Sequence, residues 1–206
     1  KSRGFTKPGT LLKDRIPIRT WADWNEDCPG YCEMDLVDHS GGRIIRGVDH
    51  AWTLCFTDVT RATRRVSKTA WTECLAVRNK AQVHVFAAIQ DARRRLPFPL
   101  LGVDSDNGSE FINDQLYRYC QAEQIVFTRG RAGKQNDNAH VEQKNWSVLR
   151  RAVGYRRYDT PRQLDRHRAA GDQLRALESR VGPVHLFPPG GRQHHARLHY
   201  HAHRNG

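Results

Sequence analysis

Three acidic residues in this sequence have the types and the spacing that metal-dependent phosphoryl transfer requires. Asp35 interrupts the apolar run from Tyr31 to Val37, Asp106 opens Asp-Asn-Gly after a short apolar stretch, and Glu142 lies in GKQNDNAHVEQKN. Seventy residues separate Asp35 from Asp106, and 35 separate Asp106 from Glu142. Cutting or joining a phosphodiester needs in-line attack by water or a 3′-hydroxyl, and two divalent ions can activate the nucleophile and steady the leaving oxygen. Mg²⁺ takes hard oxygen ligands and keeps several waters, so a few carboxylates suffice. The expected cofactor is therefore a pair of Mg²⁺ (or Mn²⁺) ions.

Elements of both periods must hold these residues. Tyr31 to His39 and Ala51 to Val59 read as strands joined through a Ser40-Gly41-Gly42 turn, and Arg64 to Thr69 reads as a third. Asn79 to Arg95 carries helical spacing and ends before Pro97. Pro99 to Ser105 is a short strand leading into Asp106. Asn113 to Gln124 is a helix with Asn113 as N-cap, and Ile125 to Thr128 is a strand. A loop from Arg129 to Asp137 then precedes a helix from about Ala139 to Val153, with Asp137 or Asn138 as its cap. The fold class is α/β.

Alone, Asp35 is an edge or turn residue, Asp106 a turn residue and Glu142 a solvated helix position. The flanking Met34, Leu36 and Val37, and the joint placement of all three, favour a shared site. The segments YCEMDLVDHSGG, LLGVDSDNGSEF and GKQNDNAHVEQKN resemble the signature blocks of the D,D(35)E superfamily, the retroviral-type integrases and bacterial insertion-sequence transposases. The resemblance covers residues 26–160. It implies a ribonuclease H-like fold, a five-stranded mixed sheet flanked by helices, and DNA cleavage and strand transfer during integration or transposition. It also implies Asp35 bridging both ions while Asp106 and Glu142 hold one each, with DNA element ends and target as partners and a homo-oligomer in the active complex. A nuclease that only hydrolyses, and an inactive DNA-binding remnant, are the alternatives.

The loop before the last helix carries Arg129, Arg131 and Lys134, cations suited to backbone phosphates, and Gln135 and Asn136, which could touch bases or sugars. Asn138, Asn145 and Leu149 share the Glu142 face at helical spacing, which makes the two asparagines candidates for substrate contact or support. His39, on the face of Asp35, and Asn107 are expected to shape the site, whereas Lys144 and Arg150 fall off the Glu142 face. Asp38, Asp49, Asp104 and Asp137 read as structural; Asp58 is the runner-up acid, with a turn role preferred.

The net charge of +12 at pH 7 fits a polyanionic partner. No apolar run approaches bilayer length. Cys28, Cys32, Cys55, Cys74 and Cys120 make an odd set without paired ligand spacing, which suits free thiols in a reducing, bacterial cytoplasm and disfavours zinc. Residues 1–25 read as a linker or lead-in, and the opening Lys1 fits a fragment. Residues 161–206 read as an irregular tail rich in His and Arg. From about residue 165 the chain has no Lys and seven His, the composition of GC-rich DNA translated out of frame.

Overall fold

The computed structural model describes residues 10–20, 23, 28–60, 69–133 and 135–181. Five strands, β1 (Tyr31–Asp38), β2 (Trp52–Asp58), β3 (Thr72–Val77), β4 (Gly102–Ser105) and β5 (Val126–Arg129), form one sheet in the order β3-β2-β1-β4-β5. The first three run antiparallel, while β4 and β5 run parallel to β1. This is the expected five-stranded mixed sheet of the ribonuclease H-like class. β1 is central and covered on both faces, and along it Cys32, Met34 and Leu36 alternate with Glu33 and Asp35, so the acids share one face of the strand.

One face carries Cys32, Met34, Leu54, Phe56, Leu75, Val103 and Phe127, buried under α1 (Thr10–Arg15), α2 (Gln82–Arg95) and α3 (Asp114–Ala122). Leu12 and Ile16 lie in this core and thus pack on the domain, and the backbone bonds of residues 17–19 meet β5 at its last residue, Arg129. α3 starts as expected, with Asn113 accepting from Leu116 N at 2.9 Å.

The opposite face carries Val37, Cys55 and Cys74 under a second helical layer. A 3₁₀ turn (Gln135–Asn138) leads into α4 (Ala139–Lys144), a π-helical turn (Asn145–Arg150) and α5 (Arg151–Val153). Asn138 makes no side-chain cap bond to this helix. Val141, Leu149 and Val153 fill the space over the sheet, each worth roughly 1.5–3 kcal/mol when fully buried. The π turn changes the helical phase, so Leu149 points into this core while Glu142 is exposed, and the two do not share a face.

Two further elements differ from the sequence reading. The third strand is Thr72–Val77, whose TECLAV pairs with β2 and is almost wholly buried; of the expected Arg64 to Thr69, residues 64–68 lie outside the described residues. The segment expected to be irregular from residue 161 is helical as far as Val181, forming α6 (Pro161–Val181). Thr160 Oγ1 accepts from Gln163 N at 3.3 Å, and Gln163 Oε1 accepts from Thr160 N at 3.1 Å, a reciprocal capping box that starts this helix. α6 packs on β3 so closely that a Cβ at Gly171 would lie 2.4 Å from the Cys74 carbonyl oxygen. Residues 182–206 lie outside the described residues. No helix among the described residues is long and apolar enough to cross a membrane.

Candidate active site

The sheet brings the first two carboxylates together. β1 and β4 are parallel neighbours with Met34 opposite Ser105, so Asp35 and Asp106 follow at the same level on adjacent chains. Asp35 Oδ1 accepts from Leu36 N at 2.8 Å and Oδ2 from Asn145 Nδ2 at 2.6 Å. Asp106 has just left β4, is exposed, and closes a turn by accepting from Gly108 N at 2.9 Å. Glu142 projects from α4. All three line one open cleft of about 380 Å³, with Asn107, Gly130, Arg131 and Asn138 on its walls.

Their charges register one another. Burial raises the pKa of Asp35, and the Asp106 carboxylate adds to the rise. Glu142 is raised by burial and then by Asp35. Carboxylates that oppose each other's ionisation create a demand for positive charge between them. The donors are hard oxygens, the chemistry that Mg²⁺ accepts. They surround the cleft without converging: among the described residues, no group of three His, Cys, Asp or Glu side chains is gathered closely enough to hold a metal ion.

The asparagines hold this arrangement. Asn145 bonds Asp35 directly, and its Oδ1 is buried without a partner. Asn138 is buried; in the amide orientation that satisfies both neighbours, its nitrogen donates to Asp104 Oδ2 (3.2 Å) and its oxygen accepts from Asp106 N (3.1 Å). Asn107 ties the loop to the strand end, donating to the Gly130 carbonyl at 2.8 Å and accepting from Arg129 Nη1 at 3.1 Å.

The cations are less free than the sequence reading expects. Arg129 Nε donates to the carbonyls of Lys13 (3.1 Å) and Ile16 (3.2 Å), so its guanidinium fastens the lead-in to the domain. Arg131 forks onto the buried Asp137, with Nε and Nη2 each at 2.9 Å, yet remains half exposed on the cleft wall. Lys134 lies outside the described residues; Gln135 and Asn136 fall in the 3₁₀ turn. Arg150 lines a second cavity, of about 320 Å³, which shares Asp35 and Glu142 with the cleft. It is anchored by donating to the Asp38 carbonyl at 3.0 Å.

His39 is buried behind the site. Its Nε2 and that of His167 lie 2.8 and 2.7 Å from the one Thr53 hydroxyl, which can donate to one ring and accept from the other. Burial pushes the pKa of His39 down to about 3 and that of His167 to about 4, so both are neutral. The other acids have hydrogen-bonding partners of their own. Asp38 pairs with His50 at 2.7 Å, Asp49 accepts from Asn79, and Asp58 accepts from Gly30 N, Thr60 and Thr69.

One participant escaped the sequence reading. Glu33 is fully buried, and its Oε2 accepts from Val141 N at 2.9 Å, holding the start of the helix that carries Glu142. Burial pushes its pKa up to about 8, and that of its strand neighbour Asp104, bonded to Thr128, up to about 7. Period-two geometry puts Glu33 on the face of Asp35, and an acid in an apolar strand needs a partner. That signal was legible.

No family model matches the chain. It is 42% identical over 152 residues to the uncharacterized protein y4rM of Sinorhizobium fredii; the match covers 72% of this chain and 39% of that protein. Among solved structures, it is similar to the HTLV-2 integrase catalytic core domain in complex with magnesium, with a TM-score of 0.47 and 12% identity, covering 77% of this chain and 86% of that one. It is also similar to a chain of a simian T-cell lymphotropic virus intasome in complex with a PP2A regulatory subunit, with a TM-score of 0.49 and 11% identity, covering 80% and 50%.

Proposed function

We propose that this chain is the catalytic core of a D,D(35)E-type integrase or transposase, acting on DNA by metal-dependent cleavage and strand transfer. The observation that carries this reading is the single cleft shared by Asp35, Asp106 and Glu142, from β1, the end of β4 and α4. Asp35 would touch both ions, with Asp106 and Glu142 holding one each. Such ions lower the pKa of an attacking water or hydroxyl and offset charge on the leaving oxygen.

The protein's own part is placement. Asn145 orients Asp35, Asn138 holds the backbone of Asp106 and the buried side chain of Asp104, and Glu33 secures the first turn of α4. Arg131, on the cleft wall, is the described cation best placed for a DNA phosphate. The net charge of +12 favours the same partner. The unit assigned to this chemistry runs from Thr10 through α6, and its working form on paired DNA ends would contain more than one copy.

The test is a Mg²⁺ or Mn²⁺ titration on duplex DNA with a pre-cut 3′ end. Metal-dependent joining, abolished in Asp106→Asn, is the expected result. Hydrolysis without joining would leave a nuclease, and activity unchanged in Asp106→Asn would end the assignment.

A further inference from the structure

Beside the carboxylates lies a surface that phosphate chemistry does not use. Trp146 and Tyr155 are 59% and 67% exposed, and both line the cavity that also contains Asp35, Glu142, Asn145 and Arg150. Neither ring belongs to a hydrophobic core. Both are backed by a cation: the Arg151 guanidinium carbon lies 4.9 Å from the Trp146 ring centre, and that of Arg150 lies 4.6 Å from Tyr155. Arg150 is itself fixed by the carbonyls of Asp38 and Gly154, so Tyr155 is stacked on an anchored group. Trp146 sits in the π turn, four residues after Glu142.

We propose that Trp146 and Tyr155 form a stacking subsite for an unpaired nucleobase at the DNA end being processed. The inference rests on the reading of the cleft as a DNA site and adds how the strand is received. Exposed rings with a guanidinium on one face suit a planar heterocycle on another, and stacking accepts any base because every base has a π face. The charge distribution separates base from phosphate. Asp35 and Glu142 are common to both spaces. The aromatic cavity adds Asp38 and an Arg150 taken up by two carbonyls, whereas Arg131 stands on the cleft wall, so a phosphate is favoured in the cleft and an uncharged base beside the rings. A backbone crossing the cleft would therefore turn its terminal base towards the rings, which requires that base to be out of the duplex.

The test is equilibrium binding in the presence of a chelator, so its result does not depend on metal-dependent activity. The probes are a blunt duplex and the same duplex with a three-nucleotide unpaired 3′ extension. Trp146→Ala should lose about tenfold in affinity for the extended probe and under twofold for the blunt one. Trp146→Phe should regain most of the loss, and Tyr155→Ala should repeat the pattern. Should Trp146→Ala fail to fold, Tyr155→Ala carries the same comparison from a more exposed position. Equal losses on both probes, or none on either, would overturn the subsite. An Asp106→Asn protein that binds normally but does not cut would leave it standing, whereas wild-type protein that stacks the extension yet never cuts would fail the catalytic assignment alone.

Discussion

Replacing Glu33 tests the idea that a buried acid positions the helix that carries Glu142. Glu33→Ala removes the acceptor for Val141 N and leaves a space under α4. An unpaired buried N–H together with the lost contacts costs about 2–4 kcal/mol. Glu33→Gln keeps an acceptor of nearly the same shape and should stay within about 1 kcal/mol of wild type at pH 5. The two genotypes should then part as pH rises. The folded-state pKa of Glu33 is raised from 4.5 to about 8, so between those values the folded protein holds a proton that the unfolded chain has released. Wild-type stability contributed by this group is fully present below pH 4.5 and is lost as pH climbs towards 8. One such group gives a slope of at most about 1.4 kcal/mol per pH unit. Urea denaturation at half-unit steps from pH 5 to 8, with chelator present, measures it directly. Parallel curves for wild type and Glu33→Gln would refute the reasoning, as would a Glu33→Ala protein as stable as either.

The histidine pair gives a slope of the opposite sign. His39 and His167 are held neutral, with pKa values of about 3 and 4, so their contribution is intact above the unfolded value near 6.5 and is lost as pH falls. Relative to His167→Gln, wild type should lose up to about 1.4 kcal/mol per pH unit between pH 6.5 and 4; a difference that does not change with pH would count against a neutral buried ring. Gly171→Ala should destabilise by about 1–3 kcal/mol despite alanine's better helix propensity, because its Cβ would meet the Cys74 carbonyl oxygen at 2.4 Å. A thermal melt that rises instead would show that α6 does not pack that closely on β3.

The sheet was legible because its strands combine apolar runs with turn signals, and the acids stood out as polar residues within or just beyond such runs. Where reading failed, the causes are physical. Arg64 to Thr69 has β-branched residues but is cationic, whereas Thr72–Val77 fills a buried strand with Thr72, Glu73 and Cys74 among its polar positions. Glu73 finds its partner in the Trp71 indole, 2.9 Å away, a contact that needs the folded strand. The α6 helix was masked by its composition, yet Thr160-Pro161-Arg162-Gln163 is a capping box with proline at the first helical position, a start signal present in the chain itself. The π turn left no such mark. It alters phase through backbone bonding, and its consequence is the burial of Leu149 beside the exposure of Glu142.

The parallel pairing of β4 with β1 sets an order on how the cleft can come into being. The β1–β2 hairpin joins neighbours in the chain and can close early, but β4 reaches β1 only after the whole of α2 has crossed over. Glu142 lies farther along the chain still, on a helix whose packing surface is made by the paired strands β1 and β2. A nascent or interrupted chain can therefore display Asp35, and even Asp106, without enclosing a cleft. The cleft shared by Asp35, Asp106 and Glu142 is complete only when α4 is seated on Glu33.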